Sequence, residues 1–200
     1  MVDNFDSIRS LLKFDEKGEN FYFLQILQRK KDHKGTGKVN GTNNNSRLIK
    51  AYYIHSMEKF DFIEPEVKEL CKLFQARAGI NLNRRNYKKM SLQVLKKVTD
   101  QILNGSFDKA YKAYPTVVGA HNHDSDKRWI LDIDEVGRPS NEMISFAERE
   151  CEPEGSKFIT MLPSKNGYHL IMRPFNLKTF KEKFPDIEVH KNNPTNLYIP

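Results

Sequence analysis

The stretch Arg128-Trp-Ile-Leu-Asp-Ile-Asp134 is an apolar run that carries two carboxylates. Side chains two residues apart on a β-strand point to the same face. Asp132 and Asp134 would therefore project side by side, while their apolar neighbours fill the layer behind. Two carboxylates held so close repel each other, and a divalent metal ion relieves that repulsion. The stretch predicts a strand with a metal site at its end.

Farther along, the chain contains Pro163-Ser-Lys-Asn-Gly-Tyr-His-Leu-Ile171. Serine, asparagine and glycine favour turns, and apolar residues flank them on both sides, so the stretch predicts two strands joined by a polar turn. The second of these strands opens with His169. The side chains of Ser164 and Lys165 beside a histidine can donate to an anion, and backbone N–H groups near Gly167 would add to them.

The order of predicted elements in the second half is β-α-β-β-α-β, the ferredoxin-like or RNA-recognition-motif (RRM-like) arrangement of an α+β fold. In that sheet the first and third strands are central neighbours, and the fourth lies beside the first. Asp132, Asp134 and His169 would then converge on one open face, joined by Asp186 or Glu188 from the last strand. The elements are strands at 128–134, 157–162, 168–173 and 187–191, with helices at 140–151 and 176–184.

The first half predicts an α/β module over residues 1–120 that folds as one unit with an RRM-like module over 121–200. Strands are expected at 21–28, 47–54 and 78–83, and a flexible loop rich in glycine and asparagine at 30–46. One helix would carry Pro65 near its first turn, and a short helical piece would span 106–114. Ser91 would cap another helix, whose inner face is formed by Leu92, Leu95, Val98, Ile102 and Leu103.

Charge and cysteine content narrow the class of protein. Lys+Arg 33 against Asp+Glu 26 gives a formal charge of +7, which favours a partner rich in phosphate, although a solvated basic surface is the alternative. Cys71 and Cys151 are isolated, so neither a disulfide framework nor a cysteine-rich zinc site is expected. Because the chain shows neither a signal peptide nor an apolar run of membrane-spanning length, we expect a cytoplasmic protein without a membrane partner.

Carboxylates combined with a histidine limit the chemistry that the site can perform. Acids that bind Mg²⁺ or Mn²⁺ can hold the phosphates of a nucleotide and activate an attacking hydroxyl. His169, Ser164 and Lys165 can donate to phosphate oxygens. Phosphoryl transfer depends mainly on positioning and charge neutralisation, and this set of residues supplies both.

The two segments together resemble the first two motifs of the archaeo-eukaryotic primase (primase-polymerase) superfamily, in its phage or plasmid form. That family has a strand with Asp-x-Asp or Asp-x-Glu, a Ser-x-His type signature beside a glycine turn, and an apolar residue followed by an acid on a later strand. Here the third motif falls within Pro185–Asn193. The resemblance covers roughly the last third of the chain, and the spacing from Ser164 to His169 is similar to that of phage-type members.

The resemblance implies a role for each matching residue. Asp132, Asp134 and either Asp186 or Glu188 would bind the catalytic Mg²⁺ or Mn²⁺ ions, and His169 would contact the phosphates of the incoming nucleotide. The third acid stays open between the two candidates, because strand alternation places both on one face. The expected nucleotide-binding residues are Ser164, Lys165, Asn166, Gly167, His169 and Lys191.

Basic residues elsewhere fit a path for a nucleic-acid template. Arg29 and Lys30 edge the predicted loop, and Arg84, Arg85, Lys88 and Lys89 cluster after a strand. Each is also explained as a solvated surface charge. The histidines and acids of 121–126 resemble a metal cluster but lack a second ligand pair, so we expect a surface loop there.

The sequence therefore predicts a metal-dependent nucleotidyltransferase of primase or polymerase type. Its partners would be a DNA or RNA template, nucleoside triphosphates and a helicase or other replication protein, in the host cytoplasm if the chain is viral. Two alternatives stay open. One is a non-catalytic RRM-like nucleic-acid-binding module, and the other is a metal-dependent nuclease or phosphoesterase, because the same carboxylates can activate water.

Overall fold

The structure is a computed structural model that describes residues 1–29, 46–134 and 140–200. Its described part is a mixed α+β fold with two antiparallel sheets, which confirms the α+β class. Residues 30–45 of the predicted loop at 30–46, which include Lys30, and residues 135–139 lie outside the described residues.

The described strands are β1 (Val2–Asp3), β2 (Asn20–Arg29), β3 (Ser46–Ile54), β4 (Arg77–Asn86), β5 (Trp129–Ile133), β6 (Phe158–Pro163), β7 (Tyr168–Met172), β8 (Glu188–His190) and β9 (Thr195–Ile199). The helices are α1 (Phe5–Arg9), α2 (Met57–Leu73), α3 (Tyr87–Leu103), α4 (Ala113–Ala120), α5 (Ser140–Arg149) and α6 (Leu177–Lys183), with a 3₁₀ helix at Phe107–Lys112.

The five-stranded first sheet has the order β1-β9-β4-β2-β3. Its strand β2 has apolar side chains on both faces because both faces are covered. Leu24 and Ile26 belong to the main core together with Phe60 of α2, while Phe23 faces a second cluster with Met90 of α3. The sheet is therefore a layer with helices on both sides.

The four-stranded second sheet has the order β6-β7-β5-β8, so β5 lies between β7 and β8. Alternation along β5 places Leu131 and Ile133 in a cluster with Met143 of α5 and Phe180 of α6. Asp132 points to the opposite face. The helices thus cover one face of the sheet, and the candidate site lies on the other.

The two sheets share a core rather than forming separate domains. β9 pairs with β1 and β4, so the segment 121–200 contributes a strand to the sheet formed by 1–120. Ile130, Leu162 and Ile171 of the second sheet are buried in the same cluster as Leu197 of β9. The sheet face that carries Asp132 is therefore partly covered, whereas the sequence predicted an open face.

The two long helices begin before the positions that the sequence predicted. α2 is capped by Ser56, whose hydroxyl accepts from the backbone N–H of Lys59, and Pro65 lies inside the helix rather than in its first turn. α3 is capped by Asn86, and Ser91 lies within the helix. Side chains at several nearby positions can act as caps, and the sequence pattern alone did not distinguish them.

The prediction of the inner face of α3 is wrong, because most of the residues assigned to that face are exposed. Leu95 and Leu103 are 64% and 79% exposed, and Leu92 and Ile102 are exposed too. The helix instead packs through Met90 against the second cluster. Helical periodicity predicts that apolar side chains share a face, but it does not predict whether another element covers that face.

Candidate functional site

A cleft of about 730 Å³ is lined by both sheets and contains most of the predicted catalytic and nucleotide-binding residues. The second sheet and its β6–β7 turn contribute Asp132, Asp134, Ser164, Lys165, Asn166, His169, Glu188 and His190. The first sheet contributes Leu27, Arg29, Ser46, Arg77 and Asn196, and the connection between β8 and β9 contributes Asn193 and Pro194. A larger depression of about 860 Å³ near Glu152 contains none of the predicted site residues.

Asp132 lies at the centre of the acidic and imidazole groups. It is opposite His169 across β5 and β7, and opposite Glu188 across β5 and β8. Its Oδ1 atom is 3.3 Å from Nε2 of His169, and its Oδ2 atom is 4.0 Å from Nε2 of His190. Three adjacent strands therefore bring together residues whose proximity the sequence predicted only from the order of its elements.

His169 is buried at the rear of the cleft and is held from both sides. Its Nδ1 atom lies 2.8 Å from Oγ1 of Thr195, a fully buried residue at the start of β9. Its Nε2 atom faces Asp132. The first sheet thus contributes, through β9, to the placement of a site residue on the second sheet.

The β6–β7 turn is closed by two hydrogen bonds between the same residues. The backbone N–H of Ser164 donates to the carbonyl of Gly167 at 2.9 Å, and the N–H of Gly167 donates to the Ser164 hydroxyl at 3.1 Å. A Cβ atom at position 167 would lie 1.9 Å from the carbonyl oxygen of Ile133. Glycine therefore lets the turn lie against the end of β5, beside Asp134.

The two candidates for the third acid are placed differently. Glu188 lies on β8 and lines the cleft, with its Oε2 atom 3.3 Å from Nε2 of His190. Asp186 lies in the turn before β8, is exposed, and is not among the cleft-lining residues that the structure describes. Strand alternation does not extend to Asp186, so the geometry favours Glu188.

The described residues contain no group of three or more His, Cys, Asp or Glu side chains already arranged around a metal position. Asp132 and Glu188 instead face imidazole groups. The donor set still fits Mg²⁺ or Mn²⁺, because Asp132, Asp134 and Glu188 supply carboxylate oxygens at one cleft.

The predicted nucleic-acid-binding residues fall into three groups. Arg29 lines the cleft, and Lys88 and Lys89 are exposed at the start of α3. Arg84 is paired with Asp124, to which its Nε and Nη2 atoms donate at 3.1 and 2.9 Å. Arg29, Lys88 and Lys89 therefore stay candidates for contact with a nucleic acid.

Arg85 corrects a sequence expectation, because its side chain is fully buried. Its Nε atom donates to the carbonyl of Val118 at 3.1 Å, and burial lowers the pKa of the guanidinium to about 10. Arg85 therefore joins β4 to α4 instead of reaching a template.

Lys191 also lies away from the cleft-lining residues described. Its Nζ atom is 4.8 Å from the ring centroid of Trp129, which packs on the helix-covered face of the second sheet. This position does not support the predicted role of Lys191 in nucleotide binding.

The segment 121–126 has no helix or strand, as predicted for a loop, and its buried Asp124 ties it to β4. Asp124 is buried and accepts hydrogen bonds from both the backbone and the side chain of Arg84. Burial by itself would raise the pKa of Asp124, but the hydrogen bonds from Arg84 hold that pKa below its usual value. The acid is a structural partner of Arg84.

Three residues of the site were missed by sequence reasoning. His190 could have been found, because it lies two residues after Glu188 and therefore on the same face of β8. Arg77 and Thr195 could not, because only the packing of the two sheets brings them to the cleft and to His169.

Comparison with protein-family models, with curated proteins and with solved structures found no match for this chain. Within the described residues, no helix is both long enough and apolar enough to cross a membrane.

Proposed function

We propose that this chain is a metal-dependent nucleotidyltransferase of primase or polymerase type, which joins nucleotides on a nucleic-acid template. One observation carries the proposal: Asp132 lies between His169 and Glu188 on three adjacent strands, at the cleft that Asp134 also lines. Phosphoryl transfer depends on positioning and on neutralisation of phosphate charge, and acids, imidazole and cations facing one cleft can supply both.

The arrangement of the second sheet also supports the proposal. Its elements follow the order β5-α5-β6-β7-α6-β8, and its strands have the spatial order β6-β7-β5-β8. This is compatible with the RRM-like module that the resemblance to primases implies. In such a module, the strand that carries the aspartate motif is central, and the strand that carries the histidine motif is its neighbour.

The carboxylates of Asp132, Asp134 and Glu188 would hold Mg²⁺ or Mn²⁺. When bound, the ion would neutralise phosphate charge and favour ionisation of the attacking hydroxyl. The side chain of Glu188 is 73% exposed, so its carboxylate has room to turn from His190 toward Asp132. Asp134 is exposed at the end of β5 and has similar freedom.

The cations of the cleft would bind the triphosphate. Lys165 lies on the β6–β7 turn, while Arg29 and Arg77 come from the first sheet. Charge-assisted hydrogen bonds from these groups would orient the phosphates and stabilise charge that develops on them. His169 would donate from Nε2, and the Ser164 hydroxyl would add a neutral donor.

The non-catalytic alternative fits the structure less well. RNA-recognition motifs bind bases on an open sheet face with exposed aromatic side chains. Here the face that carries Asp132 has Ile130, Leu162 and Ile171 buried in the core shared with the first sheet. That part of the face is not accessible to bases.

The test is incorporation of labelled nucleotides on single-stranded and primed templates with Mg²⁺ or Mn²⁺. We expect synthesis by the wild type and a loss of at least about 100-fold in Asp132→Asn and Asp134→Asn, as for other groups that stabilise transition-state charge. Glu188→Gln should lose nucleotide incorporation to a similar extent. Asp186→Asn is the matched control and should retain wild-type activity.

Equal synthesis by the wild type and both aspartate variants would refute the proposal. Cleavage of nucleic acid without nucleoside triphosphates, lost in the same variants, would instead identify a nuclease or phosphoesterase. Template binding that survives chelator and all three substitutions, without synthesis, would identify the non-catalytic module.

A further inference from the structure

We propose that Thr195 is a positioning residue that, together with Asp132, holds the His169 ring as the Nε2–H tautomer, with that N–H turned toward the cleft. The consequence for catalysis rests on the proposed function, but the tautomer and its cause do not. Neither the aspartate motif nor the histidine motif includes Thr195, which lies on a different sheet.

The contact is enclosed and short. Oγ1 of Thr195 lies 2.8 Å from Nδ1 of His169, Thr195 is fully buried, and His169 is 7% exposed. Backbone pairing fixes Thr195 opposite Ile80 of β4. The hydroxyl therefore approaches the ring from a rigid strand, and water has little access to replace it.

The surroundings of the two ring nitrogens determine where the proton lies. Nε2 is 3.3 Å from the carboxylate of Asp132. A neutral ring with its lone pair on Nε2 would place that lone pair against a negative oxygen. With the proton on Nε2, the ring attracts the carboxylate, and Nδ1 accepts from the rotatable hydroxyl of Thr195. The geometry is thus complementary to one neutral tautomer.

This tautomer has a functional consequence. Because Nδ1 is engaged by Thr195, the ring's proton faces Asp132 and the cleft, where a phosphate oxygen would accept it. The five-stranded sheet, through β9, would then determine the direction of a donor on the four-stranded sheet. Loss of the hydroxyl should leave the binding pocket in place, but the Nδ1 lone pair would lose its donor and the ring would be free to rotate.

The first test is long-range ¹H–¹⁵N NMR of the ring nitrogens, with His169 assigned by comparison with His169→Gln. In the wild type, with the ring neutral as judged from the ¹⁵N shifts, we expect a protonated Nε2 and an unprotonated Nδ1. Thr195→Ser keeps the hydroxyl and should keep this spectrum. Thr195→Val is nearly isosteric but has no hydroxyl, so the Nδ1 signal should shift because its lone pair no longer accepts a hydrogen bond.

A wild-type ring with its proton on Nδ1 would overturn the proposal, and this measurement requires no variant of Thr195 to fold. Ring signals in Thr195→Val identical to those of the wild type would overturn the role of the hydroxyl.

The second test measures nucleotide incorporation. Thr195→Val should lower kcat by roughly 10- to 100-fold with little change in KM, as expected when a donor is misplaced by about 1 Å, and Thr195→Ser should restore it. Equal kcat values for Thr195→Val and the wild type would overturn the catalytic consequence. If the wild type makes no product, the proposed function fails, whereas the NMR result still decides the tautomer.

Discussion

Replacing Gly167 with alanine tests whether the β6–β7 turn must lie against the end of β5. In the structure a Cβ atom at this position would be 1.9 Å from the carbonyl oxygen of Ile133, and 3.0 and 3.2 Å from the carbonyl carbons of Ile133 and Asp134. All three neighbours are backbone atoms. They cannot move away by a change of rotamer, so the turn or the strand must shift.

The size of the shift follows from the distance. Ordinary C···O contacts begin at about 3.3 Å, so the two backbones must separate by about 1.4 Å, which is 3.3 minus 1.9 Å. Overpacking of this kind costs about 1–3 kcal/mol, and a clash between backbones should lie near the upper limit. For a chain of this length, a loss of about 3 kcal/mol lowers Tm by about 6–12 °C.

The same displacement would move Ser164 and Lys165 relative to the aspartates. A misplacement of about 1 Å reduces catalysis by about 100-fold, so nucleotide incorporation should fall by that order under conditions where Gly167→Ala is folded. The measurements are thermal unfolding and initial rates, made on the same preparations at a temperature below both transitions.

Gly119→Ala is the matched control, because a Cβ there meets no heavy atom within 4 Å. Gly119 lies in α4, where alanine should increase stability by up to about 1 kcal/mol without affecting rates. A Gly167→Ala protein as stable and as active as the wild type would show that the turn does not approach β5 as described.

Three further outcomes follow from burial and charge. Asp124→Asn should lose about 1–3 kcal/mol of unfolding free energy at pH 7, because Asp124 is buried against Arg84. The pKa of Asp124 is lowered in the folded state, so its contribution to stability is complete above the ordinary value of 3.8 and is lost as the pH falls below it. In urea denaturation, the stability lost in Asp124→Asn should therefore be smaller at pH 3 than at pH 7. An equal loss at both pH values would contradict this. Burial raises the pKa of the Cys71 thiol to about 12, so a thiol reagent at pH 8 should modify Cys71 only after denaturation, as mass spectrometry of its peptide would reveal. Met90→Ala should cost about 2–5 kcal/mol, whereas Leu95→Ala should change stability by less than about 0.5 kcal/mol, and similar losses in the two would mean that α3 packs through a different face.

Local pattern predicted the elements of the second half of the chain well. The alternation of Trp129–Ile133 and the cap at Asn176 are properties of short segments, and the structure contains both. The predicted neighbours of β5 follow from the order of elements, and the observed pairings with β7 and β8 agree with them. The strand alternation and the cap are local, and the pairings of β5 follow from the order of elements once the RRM-like arrangement is assumed.

Features that depend on how the two sheets meet could not be predicted in the same way. Arginine is usually exposed, so nothing in the sequence indicated that Arg85 is buried against Val118. The placement of Thr195 beside His169 depends on β9 crossing into the first sheet. The choice of Glu188 over Asp186 depended on where β8 begins, which alternation alone does not reveal.

The most direct measurement is a crystal structure of the wild type with Mn²⁺ and a non-hydrolysable nucleoside triphosphate, using anomalous scattering to locate the metal. The proposed function predicts Mn²⁺ bound by Asp132 and Asp134, with Glu188 as the third acid and a phosphate oxygen within hydrogen-bonding distance of Nε2 of His169. Mn²⁺ and triphosphate bound outside this cleft, or no ordered metal at Asp132 when the nucleotide is bound, would contradict it.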